Sequence, residues 1–87
     1  MKIKDTFVLR TVAKQHIIFP TGNEAINFSG LMRLNETGKA LFDYLKTNRS
    51  YEELVDYLIS AYDIDQERAE KDVDNFIKEL DALDIIE

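Results

Sequence analysis

Hydrophobic positions divide the chain at about residue 35. Before it they come in short dense runs, the mark of strands. After it they recur every three to four residues, the mark of amphipathic helices. Phe7-Val8-Leu9-Arg10-Thr11-Val12-Ala13 is rich in β-branched and large apolar residues and reads as a first strand. His16-Ile17-Ile18-Phe19 reads as a second, closed by Pro20, which has no N–H to give to a ladder. Lys14-Gln15 forms the two-residue turn between them, although it lacks the Asn-Gly or Asp-Gly chemistry that tight hairpins prefer. Thr21-Gly22-Asn23-Glu24 is turn-like. Residues 25–29 fit either an irregular loop or a short extension of the sheet. Gly30 then introduces a third strand, Leu31 to Leu34.

Three helices follow. The first runs from about Asn35, a good N-cap, to Lys46, with Gly38, Leu41, Phe42 and Leu45 on one stripe and Thr47-Asn48 ending it. The second opens on a capping box, Ser50-Tyr51-Glu52-Glu53, and carries Tyr51, Leu54, Val55, Leu58 and Tyr62 at helical spacing up to a break at Asp63-Ile64. The third starts at Asp65, with Ala69, Val73, Phe76, Ile77, Leu80 and Leu83 as its core stripe. Glu67 with Lys71 and Asp74 with Lys78 are spaced for i,i+4 ion pairs. Ile85 and Ile86 can fold back on the bundle. The expected fold is α+β, a three-stranded antiparallel sheet followed by a three-helix bundle, in the manner of a winged helix-turn-helix with its strands first.

Length and composition narrow this to one small domain over residues 1–87. At 45% apolar and 32% charged residues the chain is neither disordered nor a membrane protein. It has no cysteine, hence no disulfide framework and no thiolate chemistry, which fits a reducing interior. The first residues have no signal-peptide character, and no run reaches the length of a membrane span. The expected location is the cytoplasm.

Charge changes the picture more. Residues 1–62 carry a net +1 and residues 63–87 a net −7. A winged helix that reads DNA places its third helix in the major groove and neutralises phosphates with Lys and Arg. Here Arg68, Lys71 and Lys78 are outnumbered on that helix by Asp65, Glu67, Glu70, Asp72, Asp74, Glu79 and Asp81. Nucleic acid is therefore not the expected partner. A winged-helix transcription regulator and a structural subunit of another complex remain the alternative readings.

No catalytic or metal constellation stands out. His16 is the only histidine, and one imidazole without cysteines does not build a metal site. None of the serines lies in a nucleophile elbow, and the three glycines do not form a phosphate loop. Asn35-Glu36-Thr37-Gly38 reads as a strand-to-helix corner: a cap, a charge complementing the helix dipole and a position of close packing. Binding is then expected at the sheet, whose edges carry unpaired backbone groups. An edge beside an apolar helix can take up an extended peptide as an added strand. On the third strand Met32 and Leu34 share the core face, and Leu31 and Arg33 face outward.

Phe28-Ser29-Gly30-Leu31-Met32-Arg33-Leu34-Asn35-Glu36-Thr37-Gly38, followed by Ala40-Leu41-Phe42-Asp43-Tyr44-Leu45, resembles the strand-to-helix signature of PqqD-like proteins. Tyr51-Glu52-Glu53-Leu54, Tyr62-Asp63-Ile64-Asp65, Asp72-Val73 and Phe76-Ile77-Lys78-Glu79-Leu80 resemble the family's second and third helices in order and spacing. The resemblance spans about Phe7 to Ile86. It implies a non-catalytic peptide chaperone, without cofactor. Such a protein binds the leader segment of a ribosomally synthesised precursor peptide and presents it to a modifying enzyme, a radical SAM/SPASM-type maturase or another peptide-modifying enzyme. It also implies the site: Leu31, Met32, Arg33 and Leu34 on the strand, and the neighbourhood of Val73, Phe76, Ile77 and Leu80 on the third helix.

Overall fold

A computed structural model of the chain describes residues 1–21 and 32–87. Its elements are β1 (Phe7–Val12), β2 (Gln15–Pro20), β3 (Met32–Leu34), α1 (Glu36–Tyr44), α2 (Tyr51–Tyr62) and α3 (Gln66–Ala82). The strands form an antiparallel sheet in the order β1-β2-β3, with Leu9 opposite Ile18 and Ile17 opposite Arg33. The expected α+β order of strands before helices is the observed one. Gly22 to Glu24 of the expected turn, the segment 25–29, Gly30 and Leu31 lie outside the described residues.

The β1–β2 turn is Ala13-Lys14 rather than Lys14-Gln15. Both turn residues have positive φ, 53° and 66°, the pattern of the tight turn whose twist matches the flanking strands. Gln15 is thereby released to pair with Val12. This register puts Phe7, Leu9 and Thr11, His16 and Ile18, and Met32 and Leu34 on the face that meets the helices. Ile18 is fully buried there.

Local chemistry fixes the helix starts. The Gly38 N–H donates to Asn35 Oδ1 (2.8 Å), and the Arg68 N–H donates to Asp65 Oδ1 (2.8 Å). At Ser50 both arms of the capping box form: the Glu53 N–H donates to Ser50 Oγ, and the Ser50 N–H to Glu53 Oε1. The ends depend on more distant partners. α1 stops at Tyr44, before the expected Lys46, because the Ile3 N–H takes the Leu45 carbonyl (2.9 Å) and pins the N-terminal segment across the helix end. α3 stops at Ala82. Asp84 adopts a left-handed conformation (φ 58°), the Ile85 N–H bonds the Leu80 carbonyl and the Asp84 N–H bonds the Asp81 carbonyl. This is a Schellman cap with Ile85 packed where the helix would have continued. Leu83, expected in the core, is 40% exposed and Ile85 takes its place at 0%.

The stripes of α1 (Gly38, Leu41, Phe42, with Leu45 just beyond), α2 (Leu54, Val55, Leu58) and α3 (Ala69, Val73, Phe76, Leu80) converge on one core with Ile18, Leu34 and Ile85. The Asp74 carboxylate accepts from the Tyr51 hydroxyl and pushes that phenol up to about 12, joining α2 to α3. Asp74 is thus not paired with Lys78. Nor does Glu67 meet Lys71; the ion pair on α3 is Arg68 with Asp72 (3.3 Å). Ile3 and Ile86 form an isolated antiparallel bridge that brings the two ends together.

Candidate peptide-binding groove

β3 pairs with β2 on one side and with no other described strand on the other. Successive residues of a strand aim their N–H and C=O groups to alternate sides. Either Arg33, or Met32 and Leu34 together, therefore present along that edge backbone groups that no other described strand pairs. That edge runs beside α3, and the space between them is a groove of about 350 Å³. Arg33, Leu34 and Asn35 line its strand side, Gly38 and Leu41 its floor, and Asp72, Asn75, Phe76 and Glu79 its helix side. Leu34, Leu41 and Phe76 are nearly buried, at 9%, 1% and 5% exposure, so the groove is backed by packed apolar side chains while its exposed lining is largely polar.

Gly38 makes room for this arrangement. A Cβ placed on it would lie 3.1 Å from Asn35 Oδ1 and 3.2 Å from Leu34 Cβ, tighter than ordinary contact. The first turn of α1 can therefore sit directly on the end of β3. A second tie lies on the far side of the same corner. The His16 Nε2–H donates to Glu36 Oε1 (2.8 Å), and His16 Nδ1 shares a hydrogen bond with Thr11 Oγ1 (2.8 Å). His16, 8% exposed, is a buried link from β1 and β2 to the start of α1. Its hydrogen bond and charge hold the Glu36 carboxyl below the usual carboxylate range, aided by Lys39 and opposed by partial desolvation.

The described residues among those expected at the site from the sequence divide into three groups. Arg33, Leu34 and Phe76 line the groove. Met32 and Ile77 are half-buried against the core and lie outside its lining, and Val73 and Leu80 are completely buried. These last two point into the bundle and support the groove wall from behind, because the core stripe of α3 is not the face turned to β3. Leu31 lies outside the described residues. The groove-facing residues of α3 that the apolar pattern passes over are Asp72, Asn75 and Glu79. Each lies one residue before a core position (Val73, Phe76, Leu80), a rotation of about 100° around the helix. Their own recurrence at one-turn intervals is the signal that identifies them.

Taken together, this is an α+β domain with an edge strand that no other described strand covers alongside a helix, a geometry suited to taking up an extended chain. The family profile for coenzyme PQQ synthesis protein D (PqqD) matches residues 15–86, and the chain belongs to that family. Two solved structures share its fold. One is TbiB1 in complex with the TbiA(beta) leader peptide, 22% identical with a TM-score of 0.76 over 100% of this chain and 95% of that one. The other is lasso peptide synthetase B1 complexed with the leader peptide, 16% identical with a TM-score of 0.69 over 93% of this chain and 89% of that one. No curated protein matches the chain. Among the described residues no helix is long and apolar enough to cross a membrane, and no group of three or more metal-ligating side chains is assembled.

Proposed function

We propose that residues 1–87 act as one non-catalytic recognition domain for the leader segment of a ribosomally synthesised precursor peptide. The leader adds as a fourth strand to β3, lies in the groove against α3, and is carried to a modifying enzyme. The observation that carries this reading is the β3 edge that no other described strand pairs, beside the groove against α3. Backbone hydrogen bonds along that edge supply affinity, and the side chains of the groove select among sequences. Membership of the PqqD family and the leader-peptide complexes of TbiB1 and lasso peptide synthetase B1 support the choice of ligand. The partner enzyme in this reading is a radical SAM/SPASM-type maturase or another peptide-modifying enzyme, and the cytoplasm is where a precursor meets it.

Within this reading the binding residues are Arg33, Leu34, Phe76, Asn75, Asp72 and Glu79, with Met32 at the start of the strand. The test is an amide chemical-shift titration with synthetic leader segments of candidate precursor peptides. Shifts concentrated on Met32–Leu34 and on the Asp72–Glu79 face of α3 are expected. Shifts confined to α2 contradict the site.

A further inference from the structure

Strand addition at β3, on which this inference rests, constrains the chemistry of the occupant. The register of the sheet places Arg10, Ile17 and Arg33 in one row across its outer face, the face turned away from the helices. Arg33 is exposed at the end of that row. Its guanidinium reaches back only to Gln15 Oε1, at 3.4 Å, and forms no ion pair with a carboxylate among the described residues. A strand added to β3 in either direction must continue the row, because side chains of paired residues fall on the same face of a sheet. The residue opposite Arg33 therefore stands on the outer face, with its Cβ about 4.5–5.5 Å from that of Arg33. Its two neighbours turn inward, toward Leu34 and Phe76.

The inner side has the opposite character. Asp72 and Glu79 stand on the helix wall, two turns apart. Asp72 is held by Arg68, and Glu79 is exposed. An inward carboxylate would meet these acids, and the chain as a whole carries −6. Among the described residues that line the groove Arg33 is the one cation, so its outer face is where a negative charge gains a partner. We propose that Arg33 selects an acidic side chain on the incoming strand. The preferred occupant is an extended segment in which Asp or Glu is flanked on both sides by residues without negative charge, at least one of them apolar.

The experiment is a displayed library of random twelve-residue peptides, selected in parallel on the intact wild-type chain and on R33E and R33Q, each checked by circular dichroism. Wild type is expected to enrich an acid between two non-acidic residues. R33E is expected to enrich Lys or Arg at that position, and R33Q neither. For one enriched peptide, exchanging its acid for Lys should weaken binding to wild type on the order of fivefold and be restored by R33E. If the same peptides emerge from all three selections and still perturb the Met32–Leu34 amides, the selectivity of Arg33 is overturned while strand addition stands. If no peptide is enriched, or enriched peptides leave those amides unmoved, both fail.

Discussion

Gly38 packs on Leu34 so closely that a Cβ on the glycine would come within 3.2 Å of the leucine Cβ. The contact joins the first turn of α1 to the end of the strand that borders the groove. Gly38→Ala should therefore separate stability from binding. Alanine gains about 0.5–1 kcal/mol of helix propensity over glycine. Displacing Leu34 and the Asn35 cap by a few tenths of an ångström loses a similar amount. Urea unfolding should show little net change, while peptide affinity falls several-fold because the floor and edge of the groove shift. A clear fall in stability with unchanged affinity would show that the contact is only structural.

The two faces of α3 should respond differently to substitution. Leu80→Ala removes a fully buried side chain and should cost about 2–5 kcal/mol of stability. Asn75 is exposed and lines the groove, so Asn75→Trp should leave the fold intact and block the peptide. Thermal unfolding and fluorescence anisotropy on the two variants check the division.

The β1–β2 hairpin carries strain at two residues. Ala13 and Lys14 both hold positive φ, which costs an L-residue other than Gly, Asn or Asp roughly 1 kcal/mol. Replacing them with Asn and Gly should raise stability by about 1 kcal/mol and leave peptide affinity unchanged. Chemical denaturation measures the gain; no gain would argue against this turn.

Glu36 gives the fold a dependence on acid. Its carboxyl is held below its ordinary value of 4.5, first by the hydrogen bond from His16 and then by the charge of that ring. A depressed folded value means that the contribution is present above the unfolded value and is lost as pH falls through the lower folded one. As pH falls from above 4.5 through the lower folded value, wild type should lose more stability than Glu36→Gln. Parallel pH profiles for the two proteins would show that the His16–Glu36 link does not contribute.

Features set by neighbours in the chain were readable from the sequence. The caps at Asn35, Ser50 and Asp65 use side chains three residues from their targets, and the helical stripes follow from periodicity alone. Features set across the fold were not. The end of α1 depends on Ile3, and the role of His16 on Glu36, twenty residues away. Ala13-Lys14 lacks recognisable turn residues, so the turn falls one position from where composition suggests. The groove shows the same limit. Apolar periodicity finds the core face of α3, hence Val73 and Leu80, whereas the face toward β3 is marked by Asp72, Asn75 and Glu79 together with Phe76 at the boundary. The strand itself was legible because Met32, Arg33 and Leu34 alternate against a capped helix start.

The most direct test of strand addition is an isotope-filtered NOE spectrum of the labelled chain bound to an unlabelled leader peptide. Cross-strand contacts between the peptide backbone and Met32, Arg33 and Leu34, with peptide side chains contacting Phe76 and Leu34, are the predicted result. A peptide bound as a helix, or one whose contacts fall only on α2 or on the outer face of β1, would contradict it.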